Sequence, residues 1–393
     1  MSREVVIVGA ARTPIGAFMG SLAPLPAPRL GAAAVRAAVE RAGVAASDVD
    51  LVTLGCVLQG GVGQAPARQA ALYAGIPEKT PCVTVNKVCG SGMQTIIHAA
   101  QAIQVGDAEV VVAGGMESMS NAPFFSHEMR QGARMGHASF KDLLIHDGLW
   151  DPYNDMHMGN CGEKCAADYG FSRAAQDEFA RESTLRAQRA QAAGLFKAEI
   201  APVAVPQRRG EPVIVSEDEG PKAAKPEKIP SLKPAFRKDG TITAANASSI
   251  SDGAAALVLM SAERAQREGR TVLARVASYA GAARNPVEFP VAPADALKKA
   301  LARASLSASD IDLLEINEAF AVVALVNAKL LELPLDRVDV RGGAVVLGHP
   351  IGASGARIVV TLLSALRDAG KRRGAAAICI GGGEALAMVL ERP

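Results

Sequence analysis

Two stretches of this chain recur at one spacing. AASDVDLVTLG, from Ala45, returns as SASDIDLLEIN over Ser307–Asn317, so that Ser47 pairs with Ser309, 262 positions on. GSGMQTIIHAA, from Gly90, returns as ASGARIVVTLL from Ala353, so that Ser91 pairs with Ser354, 263 positions on. A third likeness, VVVAGGMES (Val110–Ser118) with ICIGGGEAL (Ile378–Leu386), follows the helix each time. Separate stretches that agree within one residue point to an internal duplication of a unit of roughly 120 residues. Within each unit strands alternate with helices, which predicts an α/β protein whose sheets are mostly parallel and covered on both faces.

The spacing sets the domains: an N-terminal half over 1–119, completed by 250–272, and a C-terminal half over 273–393. Val5–Val8 reads as a first strand, Gly9–Gly16 and Pro24–Pro28 as loop, and Leu30–Ala42 as a helix stopped at Gly43. Between the halves, residues 120–249 have another texture. They hold the only Trp, a charged helical stretch at Ser172–Ala193, and a Pro-, Lys- and Glu-rich segment, Arg208–Pro234, that reads as extended loop. An insertion this long is expected to be a loop or lid domain.

Composition excludes several classes. The formal charge is only +2 with no single-sign block, so no nucleic-acid partner is expected. Six cysteines in 393 residues make no disulfide framework and fit a reducing compartment. No signal-like leader precedes the first strand and no apolar run is long enough for a membrane span, so a cytoplasmic protein is expected.

One cysteine stands at the mouth of a helix. Cys82–Val85, short and apolar, reads as a buried strand. From Met93 on, Met93, Ile96, Ile97, Ala100 and Ile103 share one helix face, and Gly106 offers a stop. Cys89 therefore sits at a strand-to-helix junction beside Gly90 and Gly92. Unpaired N–H groups and the helix dipole face its sulfur, a position that lowers a thiol's pKa and favours the nucleophilic thiolate. The same local pattern also fits a small buried residue in a tight turn.

Three further loops adjoin predicted strand ends, and duplicated halves put such ends on one side, where open α/β sheets bind ligands. His349, in GGAVVLGHPIGASG, is the best-placed base for Cys89, or else a solvated or core-bonded histidine. Cys379, in CIGGG, is a proton acceptor for a carbon acid if its pKa is lowered, or else a buried strand thiol. The glycines after it can offer backbone N–H groups to an oxyanion. Asn317, opening NEAFAVVALV, either caps a helix or fixes a water or enolate oxygen. Together they fit acyl transfer with carbon–carbon bond chemistry. No phosphate-binding loop is present, and GVGQAPARQ at Gly61 is a poor dinucleotide pattern. Cys161 and Cys165, a lone pair, read as one helix face rather than as metal ligands.

NKVCGSG, NEAF, GGAVVLGHPIGASG and CIGGGEA together closely resemble the thiolase family, along the whole chain. The resemblance implies a five-layered α/β/α/β/α fold from two duplicated halves, with an inserted loop domain. It makes Cys89 the acylated nucleophile and His349 its activator. Cys379 removes the α-proton of a second acyl-CoA. His349 with a water held by Asn317 forms one oxyanion site; the N–H groups of Cys89 and Gly381 form the other. MHMG at Met156–Gly159 and NAS at Asn246–Ser248 resemble the short-chain members. His157 and Met158 then close the pocket, Ser248 bonds the pantetheine, Ala319 and Phe320 line the adjoining wall, and Lys222 and Lys228 meet the adenosine phosphates. Coenzyme A enters as substrate and product, with no tightly bound cofactor and no metal, and the family implies a homotetramer.

Three positions depart from the family pattern. Arg341 stands where asparagine is usual, Ser249 replaces a common glycine, and Thr184 replaces a tyrosine that helps hold potassium in some relatives. The expected activity is acetyl-CoA C-acetyltransferase. A 3-ketoacyl-CoA thiolase for longer or dicarboxylic chains, a decarboxylating ketosynthase, and a non-catalytic acyl-CoA or lipid carrier are the rivals.

Overall fold

The repeat spacing reappears as hydrogen-bond register. The computed structural model describes residues 3–393. Its main sheet contains β1 (Val5–Arg12), β2 (Leu51–Gly55), β3 (Cys82–Val85), β4 (Val110–Ser118), β5 (Ser251–Ser261), β6 (Ala274–Ala283), β7 (Leu313–Ile316), β8 (Arg373–Ile380) and β9 (Glu384–Glu391), with Gly16–Ala17 added beside β5. The order is β7-β8-β9-β6-β1-β5-β4-β2-β3. Outward from the β1–β6 junction, each half reads the same way: β1-β5-β4-β2 and β6-β9-β8-β7. Leu51 lies opposite Val111 in the parallel β2–β4 pair, and Leu313 lies opposite Gly374 in the parallel β7–β8 pair. These registers differ by 262 and 263 positions, as the sequence repeats do.

The sheet is mixed rather than mostly parallel. β5 runs antiparallel to β1 and β4, and β9 runs antiparallel to β6 and β8. The reason lies at Gly381–Gly383: a three-residue link between β8 and β9 can only make an antiparallel hairpin. In the first half, residues 119–250 replace that hairpin. The third sequence likeness is therefore out of register. Gly114 and Gly115 lie inside β4, whereas the glycines after Cys379 form the turn beyond β8.

The helices are α1 (Ala27–Ala42), α2 (Pro66–Ala74), α3 (Ser91–Val105), α4 (Met158–Tyr169), α5 (Arg173–Ala192), α6 (Ala292–Arg303), α7 (Ala321–Leu330) and α8 (Ile351–Asp368), besides shorter turns. Strand alternation sorts the core into layers. Val110 and Val112 face one side of β4 and pack with Leu30, Val35 and Ala38 of α1. Val111 and Ala113 face the opposite side and pack with Ile96 and Ile103 of α3 and Ile358 and Leu362 of α8. Those two helices also cover Ile378 and Met388 of the second half, whose far face packs on Leu297 of α6 and Val322 of α7. The result is helix, sheet, helix, sheet, helix, the two sheet layers being the halves of one sheet joined, among the described residues, only where Val6 and Ile7 of β1 pair with Arg275 and Ala274 of β6.

The central pair packs at glycine contact. A Cβ on Gly92 would meet the Ala356 nitrogen at 2.8 Å, and a Cβ on Gly355 would meet the Met93 nitrogen at 2.5 Å. Gly92 with Gly355, and Met93 with Ala356, are repeat equivalents. The two contacts are thus reciprocal, as across an internal two-fold axis.

Several local expectations change. β1 runs on through Gly9–Arg12, past a bulge at Ile7/Gly9. α1 begins at Ala27, because a proline is tolerated in a helix's first turn. β3 is not buried: it is the sheet's edge, and Val83 is 49% exposed. The segment read as extended loop, Arg208–Pro234, contains a strand at Val213–Val215, a helix at Glu219–Ala223 and a 3₁₀ turn at Pro226–Ser231. α5 is capped by Ser172, whose hydroxyl accepts from Ala175 N. Cys161 and Cys165 lie one turn apart on α4, both buried.

Buried charges tie the insertion to the halves. Arg12, fully buried, donates to Glu199 at 2.6 Å and to both oxygens of Asp218 at 2.7 and 2.9 Å. Glu199 also accepts from Thr361 of α8. Arg341 joins the same group through the Ser364 hydroxyl and Asp368, which explains how arginine fits there. Such bonded charges satisfy one another where a lone one would be strongly destabilising.

Candidate active site

The turn before α3 is built to present a side chain. Asn86 Oδ1 accepts from Val88 N at 3.0 Å, and Ser91 Oγ accepts from Lys87 N at 2.8 Å while donating to Val88 O. Val88 is thereby held at φ +44°, a left-handed conformation that a β-branched residue rarely adopts. Strain of this kind persists only where surroundings enforce it, and it clusters at functional positions. It falls on the residue just before Cys89.

Cys89 opens into a cavity of about 630 Å³, within the range of small-molecule sites. Each half supplies a wall. Cys89 and Met119 come from the first, and Ala319, Phe320, His349, Ile351 and Gly381 from the second. The insertion forms the roof with Leu149, His157, Met158, Phe236 and Ser248. His157 accepts from Gly159 N at 3.0 Å, capping α4, and stacks on Phe236 with centroids 4.7 Å apart.

The cavity wall is largely apolar, and this decides the ionisation of the sulfur. Burial pushes the Cys89 thiol up to about 11. The N–H groups of Gly381 and of Cys89 itself pull the other way and lose. The expected low-pKa thiolate is therefore not the resting state: the two N–H groups do not offset desolvation by the apolar roof.

His349 is oriented by a hydroxyl. Its Nδ1 lies 2.6 Å from Ser354 Oγ, and that hydroxyl donates to Pro350 O at 2.9 Å. With the hydroxyl proton committed, Nδ1 must be the donor and Nε2 carries the lone pair. Nε2 is buried and has no partner within the chain. Burial and the Arg357 charge push the imidazole down to about 3, so it is neutral at physiological pH. An unpaired basic nitrogen and an unionised thiol facing one cavity can pass a proton when an electrophile arrives.

Cys379 and Asn317 lie behind this wall rather than on it. Cys379 is one residue from the end of β8, 1% exposed, not in a loop. Burial and the neighbouring Cys89 push its thiol well up. It is a proton donor at rest, not the acceptor expected from a lowered pKa. Asn317 follows β7 and is 1% exposed, and neither amide atom has a partner within the chain. Capping is excluded, because α7 starts at Ala321 with no side-chain cap. Buried amide atoms left unpaired are costly unless something binds them.

Beyond Asn317, Glu315, Glu318 and Asp339 share a buried region with Arg357. Ser183 donates to Glu318 at 2.9 Å, and Ile316 N donates to Asp339 at 2.9 Å. Burial pushes Glu315 up to about 8 and Glu318 up to about 7.

Of the residues named from sequence, Cys89, His157, Met158, Ser248, Ala319, Phe320, His349 and Gly381 line the cavity. Lys222 and Lys228 do not: both are exposed on the segment after Glu219. Thr184 is buried and donates to Ala180 O within α5. Sequence reasoning missed Ser354, Phe236 and Glu117. A signal existed for Glu117, the one charge in a strand of nine otherwise apolar or small residues.

The N-terminal domain of the thiolase family matches residues 5–263, and its C-terminal domain matches residues 270–392. Acetyl-CoA acetyltransferase 2 of Arabidopsis thaliana is 54% identical over 391 residues, 99% of this chain and 97% of that protein. Mitochondrial acetyl-CoA acetyltransferase of Mus musculus is 52% identical over 99% of this chain and 91% of its own. The crystal structure of the Bacillus anthracis acetyl-CoA acetyltransferase superposes with a TM-score of 0.97 at 42% identity, covering 100% of this chain and 99% of that one. With the duplicated halves and the elbow cysteine between them already in view, these likenesses lead to one conclusion: the chain belongs to the thiolase family.

Proposed function

We propose that this protein is an acyltransferase that condenses two acetyl-CoA molecules to acetoacetyl-CoA and CoA, and runs the reverse thiolysis, through an acetyl group carried on Cys89. The observation that carries the reading is the Cys89 thiol and the unpartnered Nε2 of His349 in one apolar cavity. It gains weight from relatives more than half identical over their length and named acetyl-CoA acetyltransferase.

The protons balance around the cycle. Cys89 passes its proton to His349 Nε2 as the sulfur attacks the thioester. The departing CoA sulfur takes the proton of Cys379. Cys379, now a thiolate, removes a methyl proton from the second acetyl-CoA, and the resulting carbanion attacks the acetyl group on Cys89. The released Cys89 sulfur recovers its proton from His349. While protonated, His349 donates to the enolate oxygen, together with a water held by Asn317. The N–H groups of Cys89 and Gly381 hold the oxygen of the acetyl-cysteine. His157, Met158, Ser248, Ala319 and Phe320 enclose the pantetheine arm, and the exposed Lys222 and Lys228 reach the adenosine phosphates.

Steady-state rates on acetoacetyl-CoA, 3-ketohexadecanoyl-CoA and 3-oxoadipyl-CoA test the reading. Preference for acetoacetyl-CoA is expected; preference for either longer substrate would replace it with a 3-ketoacyl-CoA thiolase. Asn317→Ala is expected to lower kcat on the order of 10²–10³-fold, as for a lost oxyanion donor. A near-normal kcat would leave its amide without a role.

The reaction needs both cysteines as thiols, which supports a reducing compartment such as the cytoplasm, and its acyl-CoA substrates support a part in fatty acid metabolism. The insertion exposes Phe124, Met129, Met135 and Phe140 on one arm, which supports self-association as a homotetramer. Light scattering at working concentration would reveal it; a monomer mass would remove that part.

A further inference from the structure

The internal two-fold axis pairs the active site with a second place in the same molecule. Cys89, ahead of α3, has Gly352 of α8 as its repeat equivalent, 263 positions on, in step with the Gly92–Gly355 pair. The Cys89 N–H bears on the Cys89 thiol, and that residue lines the cavity. The Gly352 N–H faces a carboxylate: Glu117 Oε2 accepts from it at 2.9 Å.

Glu117 is wholly buried at the end of β4. The same Oε2 accepts from Val57 N at 3.0 Å, Oε1 accepts from Leu58 N at 3.1 Å, and the Cys56 thiol lies 3.7 Å from Oε1. No arginine or lysine pairs with it among the described residues. Its partners come from both halves. Val57 and Leu58 belong to the first and pack with Ile351 and Cys89. Gly352 belongs to the second, between His349 and the Ser354 that orients it. A carboxylate on the first turn of α8 also meets the positive end of that helix. Space is tight: a Cβ on Gly352 would sit 2.7 Å from Glu117 Oε2.

We propose that Glu117 is a positioning residue for this active site, a carboxylate strut from the first half that holds the His349 turn of the second half at working distance from Cys89. One half of the duplication keeps its helix-start N–H open to substrate, and the other fills the equivalent N–H with a side chain of its own. The inference rests on the proposed thiolase reaction. Burial pushes Glu117 up to about 7, and the three N–H groups resist that rise. The carboxylate also bears on the Cys89 thiol.

The test uses the full-length protein and acetoacetyl-CoA thiolysis. Misplacing a base by about 1 Å can cost ~10²-fold. Glu117→Ala is expected to lower kcat by that order while KM stays within a few-fold, and added formate is expected to restore kcat by filling the vacated N–H groups. Glu117→Gln, nearly isosteric, keeps an acceptor oxygen and should show the same split more mildly; it serves if the alanine variant does not fold. Loss of thermal stability with wild-type kcat in the glutamine variant would overturn the strut. So would formate that restores melting temperature but not kcat in the alanine variant. Wild-type protein inactive on acetoacetyl-CoA would instead overturn the proposed reaction, and that control is read first.

Discussion

Cys89→Ala is expected to abolish acetyl transfer, with thiolysis falling on the order of 10⁴-fold or more, as when a covalent nucleophile is removed from a preorganised site. Incubation with radiolabelled acetyl-CoA should label the wild-type chain at Cys89 and leave the variant unlabelled. The change should be nearly silent in the fold. Cys89 is only partly buried and its sulfur faces the cavity, so a stability change of about 1 kcal/mol or less is expected. An acyl-CoA carrier would bind its ligand without labelling in either chain, so persistent binding with no label in wild type would sink the covalent reading.

The same sulfur gives a pH signature. Because burial pushes Cys89 up to about 11, its thiolate fraction should grow about tenfold per pH unit through the neutral range. Alkylation of Cys89 by iodoacetamide, followed by mass spectrometry, should climb with that slope from pH 7 to 9. A rate already level at pH 7 would mean a thiolate–imidazolium pair at rest. His349, pushed down to about 3, argues for the neutral pair.

What could be read from residues alone followed the range of the interactions involved. The elbow at Cys89, the stop at Gly106 and the capped α5 depend on neighbours a few positions away, and those are written in the chain. The duplicated halves were legible because repeats carry their register with them. Strand direction was not: it hangs on whether β8 and β9 meet through Gly381–Gly383, and the same glycines misled the third alignment. The edge position of β3 depends on which strand fails to arrive beside it. The sulfur's ionisation was misjudged because its local N–H groups are visible in sequence, while the apolar roof that outweighs them comes from residues more than fifty positions away. Ser354 was used only to set the repeat, though it stands on the first turn after His349, where its hydroxyl decides which imidazole nitrogen is free. Glu117 makes sense only once Gly352 arrives from the second half.

Cys379→Ala should separate the two half-reactions. In the proposed cycle this thiol first gives its proton to the departing CoA and then, as thiolate, removes the α-proton. The first duty has substitutes, since protonated His349 stands in the same cavity. The second has none in the cycle, where His349 serves the Cys89 sulfur and the enolate oxygen rather than the methyl proton. The variant should therefore still acetylate Cys89, while condensation slows by ~10²–10⁴-fold, the usual loss for a general base. Acetyl-enzyme should accumulate on incubation with acetyl-CoA alone and persist, with little acetoacetyl-CoA formed. Burial supports this division of labour: at 1% exposure behind the cavity wall, Cys379 is poorly placed to attack a thioester itself but is shielded from bulk water that would quench its thiolate. Equal failure of acetylation and condensation would show that Cys379 serves the first step as much as the second.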